Sequence, residues 1–522
     1  MKDTSGSARA IIAAGHPATA QAARIVVEAG GNAFDAVVAA GFAACVAEPV
    51  LASLGGAGVL LARPAEADPV VYDFSAHTPV FPRPVGEIEF VRTIVPFGTT
   101  SQEFHVGMGA AAVPGMAAGL FRVQRDLCRL SMPELVSPAA ELGRRGIEVN
   151  RLQAYLLAIT AAIYRHTDET ARIYGSARQP GHPVLEGEVL AMPDLASTME
   201  LLAQRGIELL YGGELGREIA AYCLANGGQV SQLDLARYYV TPRPPLQVGY
   251  RDATVLLNPP PASGGALVAF SLKLLEQADL AGLDPEGARW LALVARGMEQ
   301  TNAARAAVYD GREQDDAVVA ELLADAQVRR YAAALAPQFE QRSGTTHISV
   351  LDAAGNAASM TITNGEECGH VVPGTGIMLN NMLGEEDVHP QGFHRWQPGT
   401  RISSMMAPSM ATRASQIIVT GSGGSNRIRT CILQVLLKLL DAGWSVDRAV
   451  NGPRIHFEGG LLSMEGGFDD ELVAQLGEQF SQLQRWEERN LFFGGAHTVM
   501  SEAGRFSGAG DARRGGVVEV ID

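Results

Sequence analysis

Residues 343–351 read Ser-Gly-Thr-Thr-His-Ile-Ser-Val-Leu, a polar approach that changes abruptly into an alternating strand pattern. A turn-forming Asp-Ala-Ala-Gly-Asn segment follows, and a second alternating run occupies residues 357–363. Two alternating runs around a short turn are typical of a β-hairpin. If the turn centres on Ala354, Thr345 and Thr363 face each other on adjacent strands about 4.8 Å apart.

The predicted pairing of Thr345 with Thr363 favours one kind of chemistry. A hydroxyl at the head of a strand, opposite a second hydroxyl, suits a nucleophile whose base is its own freed α-amine. A free α-amine has a pKa of about 7.7–8.0, so it accepts a proton near neutral pH. The alternative is an ordinary cross-strand threonine pair, because threonine is common in strands. The hairpin alone leaves both interpretations open.

A glycine-rich segment, Gly-Ser-Gly-Gly-Ser at residues 421–425, follows a predicted strand at residues 416–420 and precedes a helix that begins near Arg427. Successive backbone amides there can form an anion-receiving nest, and the helix dipole adds positive potential. For acyl transfer such a nest serves as an oxyanion hole. A phosphate loop is disfavoured, because the Gly-Lys-Ser/Thr ending is missing. A plain tight turn stays as the alternative.

The composition excludes several classes of function. The chain has 522 residues, of which 47% are hydrophobic and 19% charged, as in a soluble globular protein. Its formal charge of −16 argues against nucleic acid as a partner, because phosphate binding needs a basic face. The five cysteines show no Cys-x-x-Cys spacing, so neither a disulfide framework nor a zinc site is indicated. We therefore expect no cofactor and no metal ion.

The sequence also bears on the cellular location of the protein. The first residues lack a basic stretch followed by an apolar signal core. The apolar run 33–47 is shorter than the ~20 residues of a membrane span, so it predicts a buried helix. We expect a cytoplasmic protein with no membrane partner.

Helical and strand-like patterns are distributed unevenly along the chain. Residues 115–287 are mainly helical, and residues 289–335 are charged and helical. Strand patterns return sharply at Thr345 and end with a β-like run at residues 516–520. This order favours an α/β (α+β) layered core that draws on both halves of the chain.

A series of motifs resembles the γ-glutamyltransferase family of N-terminal nucleophile hydrolases over nearly the whole chain. No single motif decides the resemblance, whereas the series in the right order is very specific. The motifs are Gly15-His16-Pro17, Gly30-Gly31-Asn32-Ala33-Phe34-Asp35-Ala36, Glu48-Pro49, Gly55-Gly56-Ala57-Gly58, Val113-Pro114-Gly115, Pro261-Ala262-Ser263-Gly264-Gly265, Thr345-Thr346-His347, Pro373-Gly374-Thr375-Gly376-Ile377-Met378-Leu379-Asn380-Asn381, Ser403-Ser404-Met405, Gly421-Ser422-Gly423-Gly424-Ser425, Asn451-Gly452-Pro453-Arg454 and Asp511-Ala512-Arg513-Arg514-Gly515-Gly516.

The resemblance implies a four-layer αββα sandwich made as a precursor that cuts itself between Gly344 and Thr345. A helix-rich large subunit of residues 1–344 and a small subunit of residues 345–522 would then form a heterodimer, which could oligomerise further. By the same resemblance, Thr345 is the nucleophile and Thr363 supports it. The amides of Gly423 and Gly424 correspond to the oxyanion hole.

The resemblance also implies a set of substrate contacts, and departures from the family pattern put some of them in doubt. Hydroxyls at Ser403 and Ser404 would hold the substrate's α-carboxylate, and Glu385 its amino group. Asn364 stands in for a family asparagine with a shift in position. Ser75 stands where relatives carry an arginine that clamps the carboxylate, and this loss weakens carboxylate binding. We consider Arg401 and Arg427 as replacement cations.

The sequence therefore predicts an autoprocessed threonine amidohydrolase or acyltransferase that cleaves γ-glutamyl amides such as glutathione. Two alternatives stay open. The same chemistry could act on a different acyl amide, as in an acylase, because Ser75 replaces the arginine. The chain could also be an uncleaved, non-enzymatic homologue.

Two further side chains receive structural rather than catalytic roles: we expect His347 to be a packed strand residue, and Asp35 to bind backbone donors.

Overall fold

The computed structural model describes residues 8–96, 101–278, 280, 282–315, 317–332, 345–389 and 392–522. Within these ranges, the first large sheet has seven antiparallel strands. In spatial order they are Val517–Ile521, Ala10–Ala14, Thr346–Asp352, Ala357–Thr363, Ala57–Arg63, Val70–Phe74 and Thr241–Arg243. The sheet therefore interleaves strands from the beginning, the middle and the end of the chain.

The second large sheet has six antiparallel strands among the described residues. Their order is Arg505–Ala509, Thr498–Glu502, Gln416–Thr420, Ser409–Arg413, Ala253–Leu257 and Leu246–Tyr250. Apolar side chains of both sheets, such as Ile11, Leu61, Leu351, Met410 and Val499, pack together in one buried cluster. The two sheets thus lie face to face.

Helices cover the outer face of each sheet and complete four layers. The first sheet packs against Pro17–Glu28, Ala33–Ala47 and Met116–Leu127, and Met132–Arg145 packs on the first two of these helices. The second sheet packs against Ser263–Leu275 and shares one apolar cluster with Ala288–Ala304 and Arg427–Leu440. This arrangement confirms the predicted αββα sandwich. Because each layer buries an apolar face against its neighbour, both halves of the chain are needed for one core.

Shorter elements surround the sandwich. The remaining described α-helices are Arg151–Ile159, Ala161–Tyr164, Asp168–Tyr174, Pro193–Arg205, Glu208–Tyr211, Glu214–Ala225, Gln232–Arg237, Val318–Leu322, Asp325–Ala332, Val446–Asn451 and Asp470–Gly477, and a π-helix, Arg305–Tyr309, continues directly from Ala288–Ala304. Small sheets are formed by Val91–Pro96 with Ser101–Val106, by Ile147–Glu148 with Val189–Leu190, by Ser422–Gly423 with Gly495–Ala496, and by Ile455–Glu458, Leu461–Met464 and Gln482–Arg485.

The central hairpin has the predicted register. Thr346 pairs with Ile362 and Leu351 pairs with Ala357, so the ladder is symmetric about Ala354. Both strands have further neighbours in the sheet, and every residue of both is buried. The hairpin is therefore held on both sides, and its open end fixes where Thr345 lies.

The apolar helix Ala33–Ala47 has the predicted bounds, and all its residues are buried. Asn32 caps its N-terminus, because its side chain accepts from the Phe34 and Asp35 amides while Asp35 accepts from the Asn32 amide. Asp35 also accepts from the backbone amides of Arg129 and Leu130, which confirms its expected role. In the described parts of the chain, none of the helices is both long and apolar enough to cross a membrane.

Candidate active site

Thr345 lies immediately before the strand Thr346–Asp352, at the open end of the hairpin, and is 3% exposed. Its carbonyl oxygen accepts a hydrogen bond of 3.1 Å from Nη1 of Arg514. An added Cβ on Gly423 would lie 1.8 Å from that same carbonyl oxygen, far inside contact distance. The structure therefore brings the head of the hairpin and the glycine-rich segment 421–425 into direct contact. Gly344, on the other side of the predicted scission point, lies outside the described residues.

The segment 421–425 connects the strand Gln416–Thr420 to the helix Arg427–Leu440, as predicted. Residues Ser422–Gly423 form a short ladder with Gly495–Ala496, and the Ser422 hydroxyl accepts from the Gly495 amide at 3.0 Å. Gly424 has a φ of +116°, a conformation that strongly favours glycine. The local backbone is thus fixed beside Thr345, as an oxyanion hole requires.

Thr363 lies at the end of the second hairpin strand and lines the same cavity as Thr345. Its hydroxyl accepts a hydrogen bond of 3.0 Å from the Gly365 amide. This hydrogen bond from the backbone orients the Thr363 hydroxyl. A fixed orientation is what a group that supports a neighbouring nucleophile needs. The structure brings the two threonines together; their chemical roles stay predictions.

One carboxylate beneath the site was not predicted from the sequence. Glu48 is buried, and its two oxygens accept hydrogen bonds from the hydroxyls of Thr346, at 2.6 Å, and Thr19, at 2.7 Å. Burial raises the pKa of Glu48 above its ordinary value, although both hydroxyls and the nearby Arg514 counteract this. Glu48 therefore anchors the residue that follows Thr345 to the first helical layer.

The inner cavity is the space in front of Thr345, with a volume of about 30 Å³. This is room for about two water molecules. Most of its lining is apolar. Its lining residues are Ser75, Ala76, Thr345, Thr363, Met382, Glu385, Val388, Ile402, Ser403, Ser404, Met405, Met406, Ser425 and Ile428.

Four serines belong to this lining, and the hydroxyls of Ser75, Ser403 and Ser404 differ in their hydrogen bonds. The Ser403 hydroxyl pairs with that of Ser263 at 2.9 Å. Among the described residues, the buried hydroxyls of Ser75 and Ser404 have no hydrogen-bond partner. A buried polar atom without a partner is costly, so both hydroxyls are suited to bind an incoming polar group.

No arginine or lysine lines the inner cavity in the described part of the chain. Arg401 is buried, and its guanidinium is bound by the Asp73 carboxylate at 3.2 Å, the Tyr239 carbonyl at 2.9 Å and the Thr241 hydroxyl at 2.9 Å. Arg427 donates to the Phe492 carbonyl at 3.0 Å and lies over its ring. Arg401 also donates to the Ser75 carbonyl at 3.4 Å. Neither replacement cation considered from the sequence lines the inner cavity.

The two remaining predicted substrate residues lie in different environments. Glu385 is buried and lines the inner cavity. Asn364 is fully buried, and its amide group donates to Glu367 at 3.1 Å. It does not belong to the cavity lining, so the structure does not bring it together with the other predicted contacts.

A larger outer cavity of about 410 Å³ adjoins the inner one and shares Val388, Ile402 and Ser403 with it. Its lining adds Trp396, Gln397 and several charged groups, which include Arg312 and Asp315. The outer cavity is wider and carries more polar surface than the inner one, which is narrow and mostly apolar. The arrangement can hold a small acyl group against Thr345 and leave the rest of a substrate in the wider space.

His347 is a packed strand residue, as expected. Its ring nitrogens pair with the hydroxyls of Thr361, at 2.8 Å, and Ser349, at 2.9 Å, and the side chain is completely buried. Burial holds the pKa of His347 well below its ordinary value, so the ring stays neutral.

Residues 19–521 match the family described as Gamma-glutamyltranspeptidase. The chain belongs to the γ-glutamyltranspeptidase family. It is 32% identical to the Acylase ACY 1 proenzyme of Pseudomonas sp. (strain V22) over 91% of this chain and 87% of that relative. It is 28% identical to the Glutathione hydrolase proenzyme of Pseudomonas aeruginosa over 96% of this chain and 93% of that one.

A solved structure adds a likeness in fold. The crystal structure of cephalosporin acylase from Bacillus halodurans superimposes with a TM-score of 0.85 at 21% identity, and covers 99% of both chains. The family resemblance inferred from the sequence is therefore confirmed, and the chain is related to named enzymes. Relatives with acylase and with glutathione hydrolase names both occur within the γ-glutamyltranspeptidase family.

Proposed function

We propose that this protein is an autoprocessed amidohydrolase that removes a mainly apolar acyl group from an amide. The supporting observation is the inner cavity at Thr345, where Ser75 belongs to a mostly apolar lining surface and no described lining residue is cationic. A γ-glutamyl group carries a free carboxylate, which is costly to bury without a charged partner. The acylase name of the 32% identical relative agrees with this proposal.

In the proposed reaction the Thr345 hydroxyl attacks the amide carbonyl carbon and its proton passes to the α-amine of Thr345. The oxygen that becomes negative is stabilised by the Gly423 and Gly424 amides, each worth about 3 kcal/mol in a preorganised site. Collapse of this intermediate breaks the C–N bond, and the leaving amine takes the proton. Water then hydrolyses the threonine ester and releases the carboxylic acid.

The γ-glutamyl amide is the second candidate. Two hydroxyls, from Ser403 and Ser404, and the carboxylate of Glu385 line the inner cavity. These groups match the carboxylate and amine contacts that the family resemblance implies. The glutathione hydrolase name of the 28% identical relative also favours this substrate.

A comparison of two p-nitroanilides decides between the candidates. We expect kcat/KM for butyryl-p-nitroanilide to exceed that for γ-glutamyl-p-nitroanilide at least 10-fold, because the free α-carboxylate of the glutamyl group finds no cation among the described residues that line the inner cavity. The matched variant Ser75→Ala should change both values by only a few-fold. A preference for the γ-glutamyl amide that Ser75→Ala abolishes would show that the Ser75 hydroxyl binds the carboxylate, and would overturn the acylase proposal.

Self-cleavage before Thr345 is the second part of the proposal, and the proenzyme names of both relatives support it. We expect the purified protein to give two bands on denaturing electrophoresis, with a new N-terminus at Thr345 by mass spectrometry. Thr345→Ala should give one full-length band and no amidase activity, because the attacking hydroxyl is gone. The control Thr412→Ala, which changes a strand residue of the second sheet, should be cleaved normally. An amidase-active, uncleaved Thr345→Ala protein would refute the assignment.

A further inference from the structure

Three potential metal ligands meet outside the cavities described above. Nε2 of His166 lies 2.9 Å from Oε1 of Glu89, and Nε2 of His370 lies 2.6 Å from Oε2 of the same carboxylate. The ligand atoms of these residues all lie within 4.8 Å of one another. The three positions are far apart in the sequence, so only the fold brings them together.

Neighbouring backbone and side-chain groups position the three residues. Gly369 has a φ of +87°, and an added Cβ there would lie 2.8 Å from Cβ of His166. The glycine therefore lets His166 approach His370. On the far side, Nδ1 of His370 lies 3.4 Å from the Tyr222 hydroxyl, and the Met108 amide donates to Glu89 at 2.7 Å.

We propose that Glu89, His166 and His370 bind a first-row divalent cation, with Zn²⁺ as the best match. Two imidazole nitrogens and one carboxylate form a known zinc ligand set, with the fourth position open to water. Tetrahedral zinc ligands lie about 3.3 Å apart, which is within the span of the present ligand atoms. The contacts of Glu89 with Met108 and of His370 with Tyr222 supply the outer partners that orient metal ligands.

The site is accessible to an ion from solvent. The Glu89 side chain is 31% exposed and the His166 side chain 18%, whereas that of His370 is 5% exposed. Glu89 and His166 precede the proposed scission point, and His370 follows it. A bound cation therefore joins the two fragments, although binding itself does not depend on cleavage.

Calorimetric titration with Zn²⁺ tests the site. The sample is the whole protein, with all its residues, after treatment with a chelator. We expect one Zn²⁺ per chain with micromolar or tighter affinity and a higher Tm in the presence of Zn²⁺ than of Mg²⁺. His166→Gln and His370→Gln should each weaken binding at least 10-fold and remove the Tm shift, whereas the exposed His182→Gln should bind as the parent does.

Replacement of Zn²⁺ by Co²⁺ gives a second readout, because visible absorption bands report its ligands and geometry. We expect bands characteristic of a four- or five-coordinate site with nitrogen ligands, and their loss in His166→Gln. Absence of saturable Zn²⁺ binding would overturn the proposal. Equal Zn²⁺ affinities of His166→Gln, His370→Gln and His182→Gln would also overturn it, because Glu89, His166 and His370 would then form only a hydrogen-bonded cluster.

Discussion

Gly423 has no room for a side chain, because an added Cβ would lie only 1.8 Å from the Thr345 carbonyl oxygen. In Gly423→Ala the segment 421–425 must therefore move away by more than 1 Å. Displacement of an oxyanion-hole donor by that distance costs about 10²-fold in rate. We expect kcat to fall about 10²-fold in the variant, measured on whichever p-nitroanilide the protein prefers.

The control for this measurement is Gly249→Ala. Gly249 lies in the strand Leu246–Tyr250, and nothing lies within 4 Å of its added Cβ. We expect kcat of the control to equal that of the parent. If Gly423→Ala retained the same kcat as Gly249→Ala, the segment 421–425 would not form the oxyanion hole.

Glu367 gives the protein a predictable pH dependence. It is completely buried, and burial raises its pKa to about 8 although Tyr164 and Asn364 counteract the shift. The folded state thus holds this proton more tightly than the unfolded state does. The stabilisation from the protonated carboxyl is complete below the unfolded-state pKa of about 4.5 and is lost as the pH rises through about 8.

The variant Glu367→Gln, which keeps the neutral shape, tests this dependence. Relative to Glu367→Gln, the parent should lose on the order of 3 kcal/mol of unfolding free energy between pH 5 and pH 8. Denaturant unfolding in the Thr345→Ala background measures the difference without dissociation of fragments. The exposed Glu488→Gln should follow the parent at every pH. A pH profile of Glu367→Gln parallel to the parent would show that Glu367 is charged when folded.

At the scale of elements, a buried cluster of charged side chains supports the segment 421–425 through the strand that pairs with it. Asp511 forms ion pairs with Arg454 at 2.7 Å and with Arg513 at 3.1 Å, and all three side chains are at most 1% exposed. Asp511 also accepts from the Ala496 amide at 2.9 Å, on the strand that pairs with Ser422–Gly423. Burial alone would raise the pKa of Asp511, but both arginines hold it below its usual range. The C-terminal motif therefore supports the site in two ways, because Asp511 fixes the strand beside Gly423 and Arg514 donates to the Thr345 carbonyl.

The hairpin was predictable because a two-residue alternation and a turn-forming segment fix its register without distant contacts. The region 289–335 was predicted less well. Its composition favours helix throughout, whereas in the structure the α-helix ends at Ala304, a π-helix continues over Arg305–Tyr309, and the next α-helix begins only at Val318. Gly311 at a φ of +81° and the ion pairs of Arg312 with Asp315 and Glu321 stabilise the intervening turn. Gln314 in the same turn also donates to the Arg401 carbonyl, 87 residues away, and the local pattern does not encode such a tertiary contact.

The same reason explains what was missed in the site. Thr345, Thr363 and Gly423 follow from short patterns and from the family resemblance, and the structure places them together. The contact between Glu48 and Thr346 spans 298 residues, and the hydrogen bond from Arg514 to Thr345 spans 169. The sequence marks Glu48 and Arg514 only as members of motifs, because their partners are set by the sheet order.

At the scale of the whole molecule, the sheet order predicts that cleavage before Thr345 does not separate the fragments. The strand Ala10–Ala14 lies between Thr346–Asp352 and Val517–Ile521, and Ala57–Arg63 pairs with Ala357–Thr363. The second sheet is joined across the fragments by Ala253–Leu257 and Ser409–Arg413. Dissociation would expose both apolar layers at once, at a cost comparable to unfolding.

We therefore expect native mass spectrometry of the cleaved protein to show one particle that contains both fragments. In a denaturant titration, loss of this particle should coincide with loss of far-UV circular dichroism, because pairing and folding share the same strands. The uncleaved Thr345→Ala chain is the matched control, and its transition should not depend on protein concentration, whereas that of the cleaved protein should. Release of a folded fragment below the unfolding transition would contradict the interleaved sheet order.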